Sequence, residues 1–187
     1  MSSFVPTLTL ITALKTVLEA IPLPGGADGE KLFERVDFHE NKKLKEALTD
    51  LIIVKQRVCI IVPGGDGYTN VKEARTIRSV RHSTLDLLIA DRSWTKGGYD
   101  ALVGGPKNVG ILAMKDLVVN TLADNPQLAT GDPLTPLPWV VLQPEQGAEI
   151  TIADAVAKDT PGRECWVQGY STPAGQRVLT PTRAWTE

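Results

Sequence analysis

Apolar residues recur at three- and four-residue steps near the start of the chain, where Leu8, Ile11, Leu14, Val17, Leu18 and Ile21 fall on one stripe. That spacing predicts a helix over Thr7–Ala20, ended by Pro22, Pro24 and Gly25. The pattern then changes to alternation in "KLFERVDFHE", with Leu32, Glu34, Val36 and Phe38 on one side, which predicts a strand. Asn41 is placed to cap a short helix from Lys42 to Leu51, with Leu44, Ala47, Leu48 and Leu51 inward and the lysines outward. Further strands are expected at Arg57 to Val62, within Lys72 to His82, and at Leu85 to Asp91.

Beyond these, Lys107 to Ala123 reads as a long helix that turns Val109, Leu112, Ala113, Leu117 and Val118 to a core, and "DNP" stops it. Proline and glycine make 126–138 a loop, and 92–106 is a second extended loop. Two or three strands follow, and "TPTRAWTE" closes the chain as an extended arm. The sum is one α+β domain over 1–187: a small, mostly antiparallel sheet packed by an N-terminal helix and a long central helix. The expected core includes Leu14, Val36, Ile60, Leu88, Leu112, Leu117 and Val167.

With 187 residues, a single domain buries about 70% of the surface its unfolded chain exposes, so a core needs no staples. A formal charge of −2 argues against holding nucleic acid by bulk electrostatics. The two cysteines, Cys59 and Cys165, sit in strand-like runs and read as small buried hydrophobes in a reducing compartment, with a disulfide between them left open. The N-terminal stretch has no basic region ahead of its apolar residues, so it does not read as a signal peptide, and no segment is long and apolar enough to suggest a membrane span.

The stretch "RVCIIVPGGDGYTN" poses the sharpest chemical question, because glycines after a strand are where nucleotide phosphates often sit. It has neither a Gly-Lys-Ser/Thr run nor GxGxxG spacing, and Asp66 would repel a phosphate. The favoured reading is a solvent-exposed connection between strands, with a small cytosolic nucleotide-binding enzyme using residues 63–67 as the alternative. His39 and His82 have no partners at metal-ligand spacing, and the neighbours His82, Ser83 and Asp86 lack the setting of a catalytic triad. No catalytic residue, metal or cofactor is therefore expected, and carboxylate pairs such as Asp37 with Glu40 or Asp154 with Asp159 read as solvated charges.

Arg75, Arg78 and Arg81 form a charge run in which 75 and 81 share one strand face and 78 takes the other. They read as charges on a solvated edge strand that deter stray pairing, or else as groups facing another subunit or DNA. Trp139 and Trp166 lie in strand-like runs and read as core. Trp94, in "DRSWTKGGYD" beside Tyr99, and Trp185 near the end lie in loop and arm, where burial calls for a partner surface.

Taken in order, the first helix, "LFERVDFHENKKLKEALTDLIIVKQRVCIIVPGG", the arginine-bearing stretch, "STLDLLIADRS", the helix "NVGILAMKDLVVNTLADN" and the strands around "RECWVQGYSTPAGQRVL" resemble the tail terminator, or tail completion, proteins of tailed bacteriophages. The likeness lies in element order across nearly the whole chain rather than in a signature motif. It implies a structural protein, not an enzyme: a homohexameric ring that caps the tail tube and joins it to the head–tail connector or stopper. The tail sheath is a further partner where one exists, and genomic DNA passes through the lumen without sequence-specific binding. It also implies assembly in the host cytoplasm and a final place at the tail–neck junction of the virion. Trp94, Tyr99, Trp185 and the three arginines are then the interface candidates. The chain departs from the family through "GADGE", "TKGGYDALVGG" and "QLATGDPLTPLP", and another neck or tail-tube subunit is the nearest rival.

Overall fold

Every residue from Val58 to Val62 is buried, which a strand achieves only when both faces of its sheet are covered. The computed structural model describes residues 5–39, 57–73, 76–92, 99–105, 108–131, 133–137, 140–151, 163–172 and 176–178. Along the chain these form α1 (Thr7–Ala20), β1 (Arg35–Phe38), β2 (Val58–Glu73), β3 (Thr76–Arg92), α2 (Tyr99–Val103), α3 (Ile111–Asp124), β4 (Gln143–Thr151), β5 (Arg163–Ser171) and β6 (Gln176–Val178). The strands make one sheet in the order β1-β2-β3-β5-β4, with β6 pairing β3 beside that path. Among these strands β1 against β2 is the one parallel pair, so the domain is α+β with a mostly antiparallel sheet.

Strand alternation sorts the core into two clusters. On one face Cys59, Ile61, Leu85, Leu87, Ile89 and Tyr170 meet Leu10, Leu14 and Leu18 of α1 and Met114, Val118 and Leu122 of α3. On the other, Val58, Ile60, Val62, Leu88, Ala90 and Cys165 form a second buried cluster with Val167 packed against it. Cys59 lies opposite Ile89 while Cys165 lies opposite Ala90, so the two cysteines sit on opposite faces. No disulfide joins them, and burial raises the Cys59 thiol far above its usual range.

Several expectations are corrected. The strands sought within 72–82 and 85–91 are one strand, β3, and the glycine run that reads as a connection lies inside β2. It is continuous there because a bulge between Pro63 and Asp66 absorbs the irregularity instead of turning the chain. Gly64 permits it: a Cβ there would stand 2.3 Å from Thr84 Oγ1. In α1 the buried stripe contains Leu10, and Leu8 faces solvent. In α3 the inward residues are Ile111, Met114, Val118 and Leu122, Leu117 is half-buried against the core, and Leu112 is 37% exposed. The helix carries more than one apolar stripe, and docking on the sheet selects one of them. The 92–106 segment holds the five-residue α2, so it is not wholly extended. The helix expected over Lys42 to Leu51, and Trp139, lie outside the described residues.

Candidate functional site

The bulge in β2 sets Asp66 directly opposite Ser83 on β3, and Arg81 lies one diagonal step away on the same face. The Ser83 hydroxyl donates to Asp66 Oδ1 at 2.8 Å, and Arg81 Nη2 meets Asp66 Oδ2 at 2.8 Å. Arg81 also donates to the Val5 carbonyl, at 3.4 Å, and to the Thr7 hydroxyl. The Ser83 amide donates to Thr172 Oγ1 at 2.9 Å. This network ties the segment leading into α1 to the sheet and to the end of β5. Ser83 spends its proton on a carboxylate rather than on a histidine, and His82, on the other face of the strand, contacts Thr69 Oγ1 at 3.3 Å, so the His82–Ser83 pairing of the sequence is not brought together.

Arg81 is 2% exposed. The edge-strand reading is therefore corrected for Arg81, which β2 flanks on one side and β6 on the other. Arg81 belongs to the protomer's own interior. Arg78 lies on β3 opposite Val71, and Tyr99 opens α2. Arg75, Trp94 and Trp185 lie outside the described residues. Trp166, read as core, is half-buried on β5 with Lys115 Nζ 5.0 Å from its ring centroid.

A second polar group gathers where β3 ends and α3 begins. Asp91 is wholly buried, accepting from the Arg92 amide at 2.8 Å and from the Gly110 amide at 3.2 Å. Asn108 donates through Nδ2 to the Arg92 carbonyl. Arg57, also buried, donates through Nε to the Leu32 carbonyl at 2.8 Å and pairs through Nη2 with Glu30 Oε1 at 3.2 Å. Burial pushes the Asp91 carboxyl up to about 6, against the amides of Gly110 and Arg92 and the charge of Arg57, which pull it down. Sequence reading missed this group because Asp91 ends an apolar run and its partners come from distant segments. A lone acidic residue in such a run was the available signal.

The raised Asp91 carboxyl makes stability depend on pH with a definite sign. The folded protein takes up the Asp91 proton at a higher pH than the unfolded chain, so the contribution is fully present below about pH 4 and is lost as pH rises through about 6. A rise of this size in a carboxyl's pKa corresponds to about 3 kcal/mol. We expect the unfolding free energy of the wild type, minus that of Asp91→Asn, to fall by roughly this amount between about pH 4 and about pH 7 in denaturant titrations. A flat difference would show that Asp91 ionises as it does in the unfolded chain.

Residues 63–67 do not form a loop at a helix start. The hollow lined by Pro63, Gly64, Gly65 and Asp66 with Thr7 and Ser83 measures about 60 Å³, far below the ~300 Å³ or more of a typical small-molecule site. Among the described residues no group of three or more His, Cys, Asp and Glu is placed to hold a metal ion, and no helix is long and apolar enough to cross a membrane. No protein-family model matches the chain, and no curated protein matches it at a significant level.

Proposed function

We propose that the chain is a structural virion subunit, a tail terminator that closes into a homo-oligomeric ring on a phage tail tube and joins it to the neck. The observation that carries this reading is the outer half of the β2–β3 hairpin. From Tyr68 to Glu73 and from Thr76 to Arg81 the two strands pair with each other, and their only other strand pairing among the described residues is β6 over 79–81. So narrow a ribbon is only marginally stable by itself and gains from packing on another surface. Tyr68 stands on this ribbon with 58% of its surface exposed, and a neighbouring subunit would remove that ring from water. The order of elements seen in the sequence supports the same assignment. In this reading the protein works by assembly rather than by catalysis, and its partners are further copies of itself, the tail tube protein, the connector or stopper, a sheath where one exists, and DNA threading the lumen.

Light scattering and negative-stain imaging test the proposal. The expected particle is a ring of six copies of the 20.2 kDa chain, able to dock on purified tail tubes. A monomer at every concentration, with no affinity for tubes, would sink the reading. Within it, Trp94→Ala and deletion of residues 181–187 are each expected to weaken assembly about thirtyfold while leaving the thermal midpoint of the isolated chain nearly unchanged. Normal assembly by both variants, or loss of stability matching the loss of assembly, would assign these segments to the fold instead.

A further inference from the structure

At the end of α1 far from the Arg81 network, a cleft of about 330 Å³ opens between that helix and the end of α3, with Val17, Ala20, Ile21, Thr121, Ala129 and Leu134 on its walls. The side chains around it suit an apolar occupant. The Thr16 hydroxyl already donates to the Thr12 carbonyl at 3.0 Å, and Asn125 accepts from the Ala129 amide at 2.8 Å and donates to the Ala129 carbonyl at 3.1 Å. Leu134 stands at the cleft with 72% of its surface exposed, and covering such a side chain with another apolar group is favourable.

Trp185 is a large apolar side chain of this same chain, and strand register decides which copy can supply it. β6 pairs antiparallel with β3, Gln176 opposite Arg81 and Val178 opposite Ser79, so the chain leaves β6 heading for Thr76 at the hairpin tip. α1 points the other way. Arg81 holds its start through Val5 and Thr7. Its end at Ile21 accepts from the Leu32 amide, and the Leu32 carbonyl accepts from Arg57, next to the opposite end of the hairpin where Val58 pairs with Ala90. Trp185 follows Val178 by seven residues. Reversing the chain uses about four of them and the rest extend roughly 10 Å, whereas α1 carries the cleft roughly 20 Å beyond its own start. Trp185 therefore falls short of the cleft in its own copy. We propose that the apolar cleft between α1 and α3 receives Trp185 from a second copy of the chain. The arm and the cleft lie toward opposite ends of the protomer, which is the head-to-tail arrangement that closes into a ring. The inference rests on the ring reading for the association of copies and adds what the arm of each one grips.

The test co-expresses two full-length variants, Leu134→Cys at the cleft and Ala184→Cys beside Trp185, and treats the product with the thiol oxidant diamide. Cys59 and Cys165 are both buried and stay silent. We expect a disulfide-linked species of twice the chain mass from the mixture and none from either variant expressed alone. A chain carrying both changes should give the same link between copies rather than an internal loop. Ala20→Trp supplies the block. Ala20 is exposed at the cleft, so an indole there fills the space without entering the core. Added to Leu134→Cys, it should abolish the linked species and weaken assembly about thirtyfold, as loss of an interface tryptophan does. An internal link in the chain with both changes, equal product from either variant alone, product undiminished by Ala20→Trp, or no product from a mixture that still forms rings each overturns the arm inference and leaves the ring reading standing. No product together with no association at any concentration overturns both.

Discussion

Asp66→Asn is expected to lower the unfolding free energy by about 3–5 kcal/mol, the cost of breaking a buried ion pair from one side. Arg81 is almost entirely out of water, whereas Asp66 keeps a third of its side-chain surface exposed. The two halves of the pair are therefore unequal. Removing the carboxylate takes a charged partner from a guanidinium that is 2% exposed, while removing the guanidinium leaves a carboxylate that can rehydrate and still accept from Ser83. Arg81→Met, which keeps much of the volume and discards the charge, should cost less than Asp66→Asn, and the double variant should recover most of the loss. Denaturant titration of the three proteins measures this. A loss under about 1 kcal/mol for Asp66→Asn, or a double variant worse than either single one, would mean that the pair does not balance the buried charge.

The second large effect is expected at Gly110. This residue precedes α3 with φ at +84°, and a Cβ placed on it would stand 2.2 Å from the Gly104 nitrogen and 2.6 Å from the Val103 carbonyl carbon. Gly104 faces it with φ at +90°, and a Cβ there would meet the Val109 oxygen at 2.5 Å. Two backbone segments touch here, so no rotamer change relieves the clash, and the strain of a positive φ adds to it. The Gly110 amide is also the donor to Asp91, so displacement of this turn deprives the buried carboxyl of a partner. Gly110→Ala should lose about 4 kcal/mol or more, enough to unfold a marginal domain. Gly131 supplies the control, since its φ is +87° but its nearest neighbour would be 3.7 Å from a Cβ. Gly131→Ala should cost only about 1 kcal/mol. Equal losses in thermal or denaturant unfolding would show that backbone strain alone, and not the close approach, fixes glycine at 110.

Periodicity carried α1 with its boundaries, because helix spacing and the prolines after Ala20 are local signals that no distant contact needs to confirm. It was less able to choose the inward stripe of α3. Leu112 and Ile111 are equally apolar neighbours, and the choice between them depends on how the helix lies on the sheet. The glycines at 64, 65 and 67 show the same limit. Their composition is that of a turn, yet the chain runs straight through them, since Thr84 on the facing strand bonds both the amide and the carbonyl of Gly65.

The amino-acid sequence by itself determined the α+β class, the first helix and the apolar strands, since each follows from residue types and spacings within one segment. The tertiary structure alone decided which charges are buried and what they meet. Arg81 reads in sequence as one of three exposed arginines, and register with β2 across a bulge makes it an interior cation paired to Asp66. Asp91, Asn108, Arg57 and Glu30 come from four separate stretches of chain. The physical reason is that a hydrophobic residue needs only a dry surface, which many arrangements supply, whereas a buried charge needs a particular partner at hydrogen-bond distance, and that distance is fixed by strand register and packing between residues far apart in the sequence.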